Sequence, residues 1–160
     1  MRQPPRPQSE PLLTLPVGLR AYLFLGPIEA AACMAAFFLV LVNGGWSYGE
    51  RLAWSDPLYL RATTACLSAL IVMQIVNVFL CRSAVRSAFA MPIFGNPLIM
   101  WGIALEITLL LAANYLPLAN MLLATLPVPT EVWLLLIPFA LGMLALEELR
   151  KALVRRRNIR

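Results

Sequence analysis

The stretch Ala21–Val42, "AYLFLGPIEAAACMAAFFLVLV", decides the fold. It carries a single acidic or basic side chain, Glu29, in about 22 residues. Coiled as a helix at about 1.5 Å per residue it reaches ~33 Å, enough to cross the hydrocarbon of a bilayer. It stops at Asn43-Gly44-Gly45, a helix C-cap signal. Working outward, Ala62–Leu80 is a second apolar run of about 19 residues, ending at Cys81-Arg82-Ser83. Leu98–Leu116 is a third of about the same length, opened by Gly95-Asn96-Pro97 and closed by Pro117. Val132–Leu146 is a fourth of only about 15 residues, or ~23 Å. It contains Pro138, which predicts a kink. So short a span has to thin the bilayer, lean on longer neighbours or borrow flanking residues. The runs predict an all-α polytopic membrane protein, a four-transmembrane-helix bundle with spans at about 21–42, 62–80, 98–116 and 132–146. A proline-rich basic segment (residues 1–20) precedes the transmembrane domain (21–148), and a basic tail (149–160) follows it.

Composition points the same way. Hydrophobic residues make up 61% of the 160 and charged residues 13%, against about 45–50% and about 25% in a soluble domain. All but two of the 13 basic residues lie before the first span, between the second and third, or after the fourth. Only Arg51 and Arg61 fall on the other side. Positive charge collects in the cytoplasm, so both termini are predicted to be cytoplasmic; the membrane expected is the plasma membrane. The tail "ELRKALVRRRNIR" directly abuts a span. It reads as a topology signal and headgroup anchor rather than a nucleic-acid site, and no nucleic-acid partner is expected. The N-terminus, with four prolines in its first eleven residues, has no apolar core of signal-peptide length and predicts an extended strap. "PLLTLPVGL" is too broken to span.

A few polar side chains fall within the spans: Glu29, Gln74, Asn77, Glu106 and Asn114. Such groups are costly in lipid and turn toward protein or water. Gln74 and Asn77, three residues apart, share one helix face. They either tie helices together or offer oxygens to an ion. Glu29, about two turns into the first span, snorkels to the interface, caps a neighbour or acts in transport. Glu106 is near the middle of the third span with no Lys or Arg at matching depth. It calls for a cation, a proton or a partner from elsewhere. Gln74, Asn77, Glu106 and Thr108 carry hard oxygens of the kind that suits alkali and alkaline-earth ions. The three cysteines, Cys33, Cys66 and Cys81, are isolated, and the chain has no His. They read as small packing residues, not a zinc site. Without His, a Ser-His-Asp triad is excluded. No GxxxxGK[ST] or GxGxxG loop is present. No catalytic site is expected in this chain, and no cofactor.

Taken in order, several segments resemble the C-terminal membrane domain of P-type cation-transporting ATPases of the type II group, the calcium and sodium/potassium pumps. "PPR" with "EPLL" is similar to the link after the sixth membrane helix. "LGPIEAAACMAAFF" is similar to the seventh helix and "MQIVNVFLCRS" to the eighth and its exit. "IFGNPLIMWGIALEITLLLAANYLP" resembles the ninth, and "EELRKALVRR" the end of the tenth. The resemblance implies a cation pathway to which Gln74, Asn77 and Glu106 contribute. Gln74 falls where calcium pumps often carry Glu, which lowers the negative charge available. Glu106 is similar to an acid on the ninth helix of sodium pumps. The DKTGT and TGE motifs of these pumps do not occur in the chain. The resemblance therefore implies a truncated or split C-terminal part, partnered in the lipid bilayer by an N-terminal ATPase segment that binds ATP and Mg. A different class stands beside this reading: a stand-alone four-helix transporter coupling protons to export of a cationic drug through Glu29. A third is a non-transporting assembly protein.

Overall fold

The computed structural model describes residues 15–92 and 94–157. The proline-rich stretch up to residue 14, expected as an extended strap, and the last three residues lie outside the described residues. Among the described residues four helices are long and apolar enough to cross a membrane: Val17–Asn43, Pro57–Cys81, Pro97–Tyr115 and Thr130–Arg156. No strand forms among the described residues.

The first crossing is a composite. A short helix α1 (Leu15–Leu19) runs into a π-helical stretch (Arg20–Leu25) and then into α2 (Gly26–Asn43). The π turn has an identifiable cause. Pro27 has no N–H to give Leu23, and its ring would crowd that carbonyl in a regular helix. The wider turn is closed by Gly26, whose N–H reaches Ala21 O. A Cβ on Gly26 would approach the same oxygen to 3.0 Å, so a larger residue would have to push that carbonyl back by a few tenths of an ångström. α2 ends as the Gly-Gly signal predicts: Gly45 has φ +84° and Trp46 N–H bonds back to Leu41 O at 3.0 Å.

α3 (Pro57–Cys81) starts five residues before its apolar run, because Asp56 caps it and Pro57 occupies its first turn. The Asp56 carboxylate accepts the Leu58 N–H at 2.8 Å. α4 (Pro97–Tyr115) is started the same way by Asn96 and Pro97. It halts at Leu116, and α5 (Pro117–Leu123) turns the chain toward a left-handed Ala124. α6 (Thr130–Arg157) runs through the fourth apolar stretch and on past Glu147 into the basic tail. At 28 residues it is about 42 Å long, so the helix itself extends past its short apolar run at both ends. Nothing after Leu146 breaks a helix, and the charges there are paired within the protein, as described below.

α2, α3 and α6 form the core. Its floor is a set of small side chains at helical spacing, Ala32 and Ala36 on α2 and Ala62, Ala65 and Ala69 on α3, all fully buried. Small residues let backbones approach closely where no hydrophobic driving force separates helix from lipid. Val132, Leu136 and Met143 close the core from α6. Cys33 is buried within it and Cys66 is half-buried, as packing residues would be, whereas Cys81 is exposed at the end of α3 and does not pack in the core. α4 lies outside, touching α3 and α5, with Trp101, Leu105 and Leu109 exposed. An apolar helix bare on most sides suits a membrane protein, not a water-soluble one.

Candidate functional site

Two polar clusters stand out from this apolar frame. The first lies between α2 and α3. Two residues beyond Pro27, the Glu29 side chain points at α3, where the i, i+3 pair Gln74 and Asn77 faces it. Gln74 Nε2 donates to Glu29 Oε2 at 2.9 Å, and Asn77 Nδ2 donates to Glu29 Oε1 at 2.9 Å. Cys81, one turn on, donates its S–H to Asn77 Oδ1 at 3.1 Å. All three polar residues are half-buried. The structure thus gives the two amides a shared partner that the sequence left unassigned. Glu29 is turned to a neighbouring helix, not to the headgroups. The usable signal was depth: in antiparallel helices, Glu29 lies about as far from Arg20 as Gln74 lies from Arg82.

Glu106 is elsewhere. It lines a separate open groove of about 420 Å³ with Val78, Ile99, Gly102, Ile103, Leu105 and Leu109. It makes no hydrogen bond or ion pair among the described residues. Thr108 donates its hydroxyl to Ala104 O in its own helix at 2.7 Å and is exposed. The structure therefore brings Gln74 and Asn77 together and leaves Glu106 and Thr108 apart from them. Asn114 is fully buried and ties α4 to α3, its amide reaching Ser68 Oγ at 3.1 Å. Among the described residues no group of three or more His, Cys, Asp and Glu side chains is placed to hold a metal ion. The donors present around Gln74 are amide and carboxylate oxygens, which suit hard cations.

The second cluster lies at the end of the bundle that carries Arg20 and the basic tail. Glu147 is completely buried. Arg150 grips it through Nε and Nη2 at 2.8 and 2.7 Å, and Arg20 Nη2 lies 2.6 Å from the same carboxylate. Lys151, also fully buried, donates to Leu80 O at 3.0 Å. Arg150 and Arg155 donate to Ala84 O and Val85 O at 3.0 and 2.8 Å. Glu148 accepts the Ala88 N–H at 2.8 Å. The last carbonyls of α3 and the turn after it have no helical donors, and these cations supply them. Sequence reasoning took this basic run for a headgroup anchor. Part of it is instead a clamp that joins α6 and the first crossing to the chain leaving α3.

A four-helix bundle of this kind, with a carboxylate and two amides at the interface of its first two crossings, defines a membrane protein with a polar site inside the helix bundle. Residues 1–153 match the family described as cation transporting ATPase, C-terminus, and the chain belongs to that family. It is 31% identical over 133 residues to probable cation-transporting ATPase F of Mycobacterium bovis, covering 83% of this chain and 13% of that protein. It is 24% identical to the sodium/potassium-transporting ATPase subunit alpha-2 of Gallus gallus, over 97% of this chain and 18% of the relative. With the endoplasmic reticulum calcium ATPase srcA of Aspergillus fumigatus it shares 29% over 98% of its length and 18% of the relative's. The chain thus spans less than a fifth of these relatives. The match favours a pump's C-terminal membrane domain over a stand-alone drug transporter.

Proposed function

We propose that this chain is the membrane support domain of an ATP-driven cation pump of the calcium or sodium/potassium type, and that Gln74, Asn77 and Glu106 belong to its cation pathway. ATP and Mg act on the N-terminal segment with which it assembles. The cation is cargo, held in passing by oxygens of α3 and α4. Both chain ends are cytoplasmic, and the pump works in the plasma membrane. One observation carries the reading: in a chain of this family, the two amides of α3 turn inward to a carboxylate instead of outward to lipid.

The test is cation-dependent phosphorylation of the pump containing this chain. Gln74→Leu and Asn77→Leu each raise the half-saturating cation concentration by about tenfold, the loss of one oxygen ligand. The purified chain alone hydrolyses no ATP. Unchanged cation dependence in both variants refutes the pathway role, and an aspartyl-phosphate formed by the isolated chain refutes the division of labour.

A further inference from the structure

We propose that Glu29 is the charged ligand of the Gln74–Asn77 site and that the two amides hold its place in readiness for a small hard cation. The inference rests on the pump reading above and names the residue that gives that site its charge.

Three observations meet here. Glu29 has no ion-pair partner among the described residues. Arg20, on the same crossing, is committed to Glu147 and Leu80 O. A carboxylate inside a helix bundle is costly without a counter-charge, and here two neutral N–H donors take that role. Those donors are the ends of primary amides. Nitrogen and oxygen exchange places by a half-turn of a broad terminal torsion, without moving the helices. After the half-turn, Gln74 Oε1 and Asn77 Oδ1 stand where the two nitrogens stand now, 2.9 Å from the carboxylate oxygens. Oxygens about 2.4 Å from a cation and 2.9 Å from each other subtend about 75°, an ordinary edge of a calcium-like coordination shell. The neighbour of Asn77 permits the turn: Cys81 Sγ, now a weak donor to Oδ1, becomes a weak acceptor from Nδ2.

The amides therefore have two uses. Without the ion their N–H groups satisfy Glu29; with it their oxygens join Glu29 around the charge. The arrangement is reversible and asks for no movement of α2 against α3.

The experiment is a titration of cation-dependent phosphorylation from ATP in membranes holding the pump that carries this chain, with Ca²⁺ and Na⁺ each as probe. Glu29→Gln keeps size and removes the charge; it also turns one of the two acceptor oxygens into an NH2 donor, which Gln74 or Asn77 meets by the same half-turn of its amide. It raises the half-saturating cation concentration by about tenfold to a hundredfold. The exchange Glu29→Gln with Gln74→Glu returns the charge from the opposite helix and restores the value to within about threefold. A Glu29→Gln titration that overlays the wild type overturns the proposal. So does an exchange variant as impaired as Glu29→Gln at equal membrane abundance, since a charge that serves the cation can be supplied from either helix. Gln74→Leu and Asn77→Leu run alongside separate the two readings. If they weaken cation dependence and Glu29→Gln does not, only the role of Glu29 falls; if none of the three has any effect, the pathway reading falls with it.

Discussion

Removing the Glu147 carboxylate attacks the clamp at its centre. Glu147 is fully buried, while the two guanidiniums around it keep 14% and 27% of their side-chain surface. In Glu147→Ala, Arg150 loses both short hydrogen bonds and Arg20 loses its ion pair. Breaking a buried pair by removing one partner costs about 3–5 kcal/mol, because a charge is left without its counter-charge. Two features pull the value to the low end. Arg20 retains Leu80 O and Arg150 retains Ala84 O, and both reach some solvent. The expected loss is therefore about 3 kcal/mol. Glu148→Ala is the internal control. Its carboxylate holds one backbone N–H and lies 3.6 Å from buried Lys151, which keeps Leu80 O, so about 2 kcal/mol is expected. Reversible unfolding of the purified chain in mixed micelles, followed by helical circular dichroism, reads both. A Glu147→Ala loss no larger than that of Glu148→Ala would refute the idea that Glu147 organises the cluster.

Other outcomes follow from the same contacts. Asp56→Ala removes the cap of α3 and lowers stability by about 1 kcal/mol in the same unfolding assay. Asn77→Ala costs about 1 kcal/mol with Glu29 present and clearly less in a Glu29→Ala background, the signature of a pairwise bond in a double-mutant cycle. Thiol labelling of intact cells modifies Ser47→Cys from outside and reaches Ser87→Cys only after permeabilisation, if both chain ends are cytoplasmic.

The four helices were legible because each crossing needs a long apolar run and the sequence has four of them. Their ends were less so. Hydropathy fades at Glu147, yet the backbone of α6 continues, since a helix is stopped by a cap or a proline and not by charge. α3 likewise starts at Pro57, where Asp56 supplies the cap, not at the first of its apolar residues. At the site, the i, i+3 spacing showed that Gln74 and Asn77 share a face. It did not show what the face meets, which depends on how α2 and α3 are rotated about each other. The same gap explains the basic tail. Charge pattern speaks of membrane sides, whereas Lys151 points inward because Leu80 O lacks a helical donor.

The most direct test of the account is a cross-link across the α2–α3 interface in native membranes. With the natural cysteines replaced, Glu29→Cys paired with Asn77→Cys is expected to join under mild oxidation or a bifunctional mercurial, while Glu106→Cys paired with Asn77→Cys does not. Failure of the first pair, with either thiol reacting instead with a lipid-phase reagent, would contradict an inward-facing polar site and the pump pathway built on it.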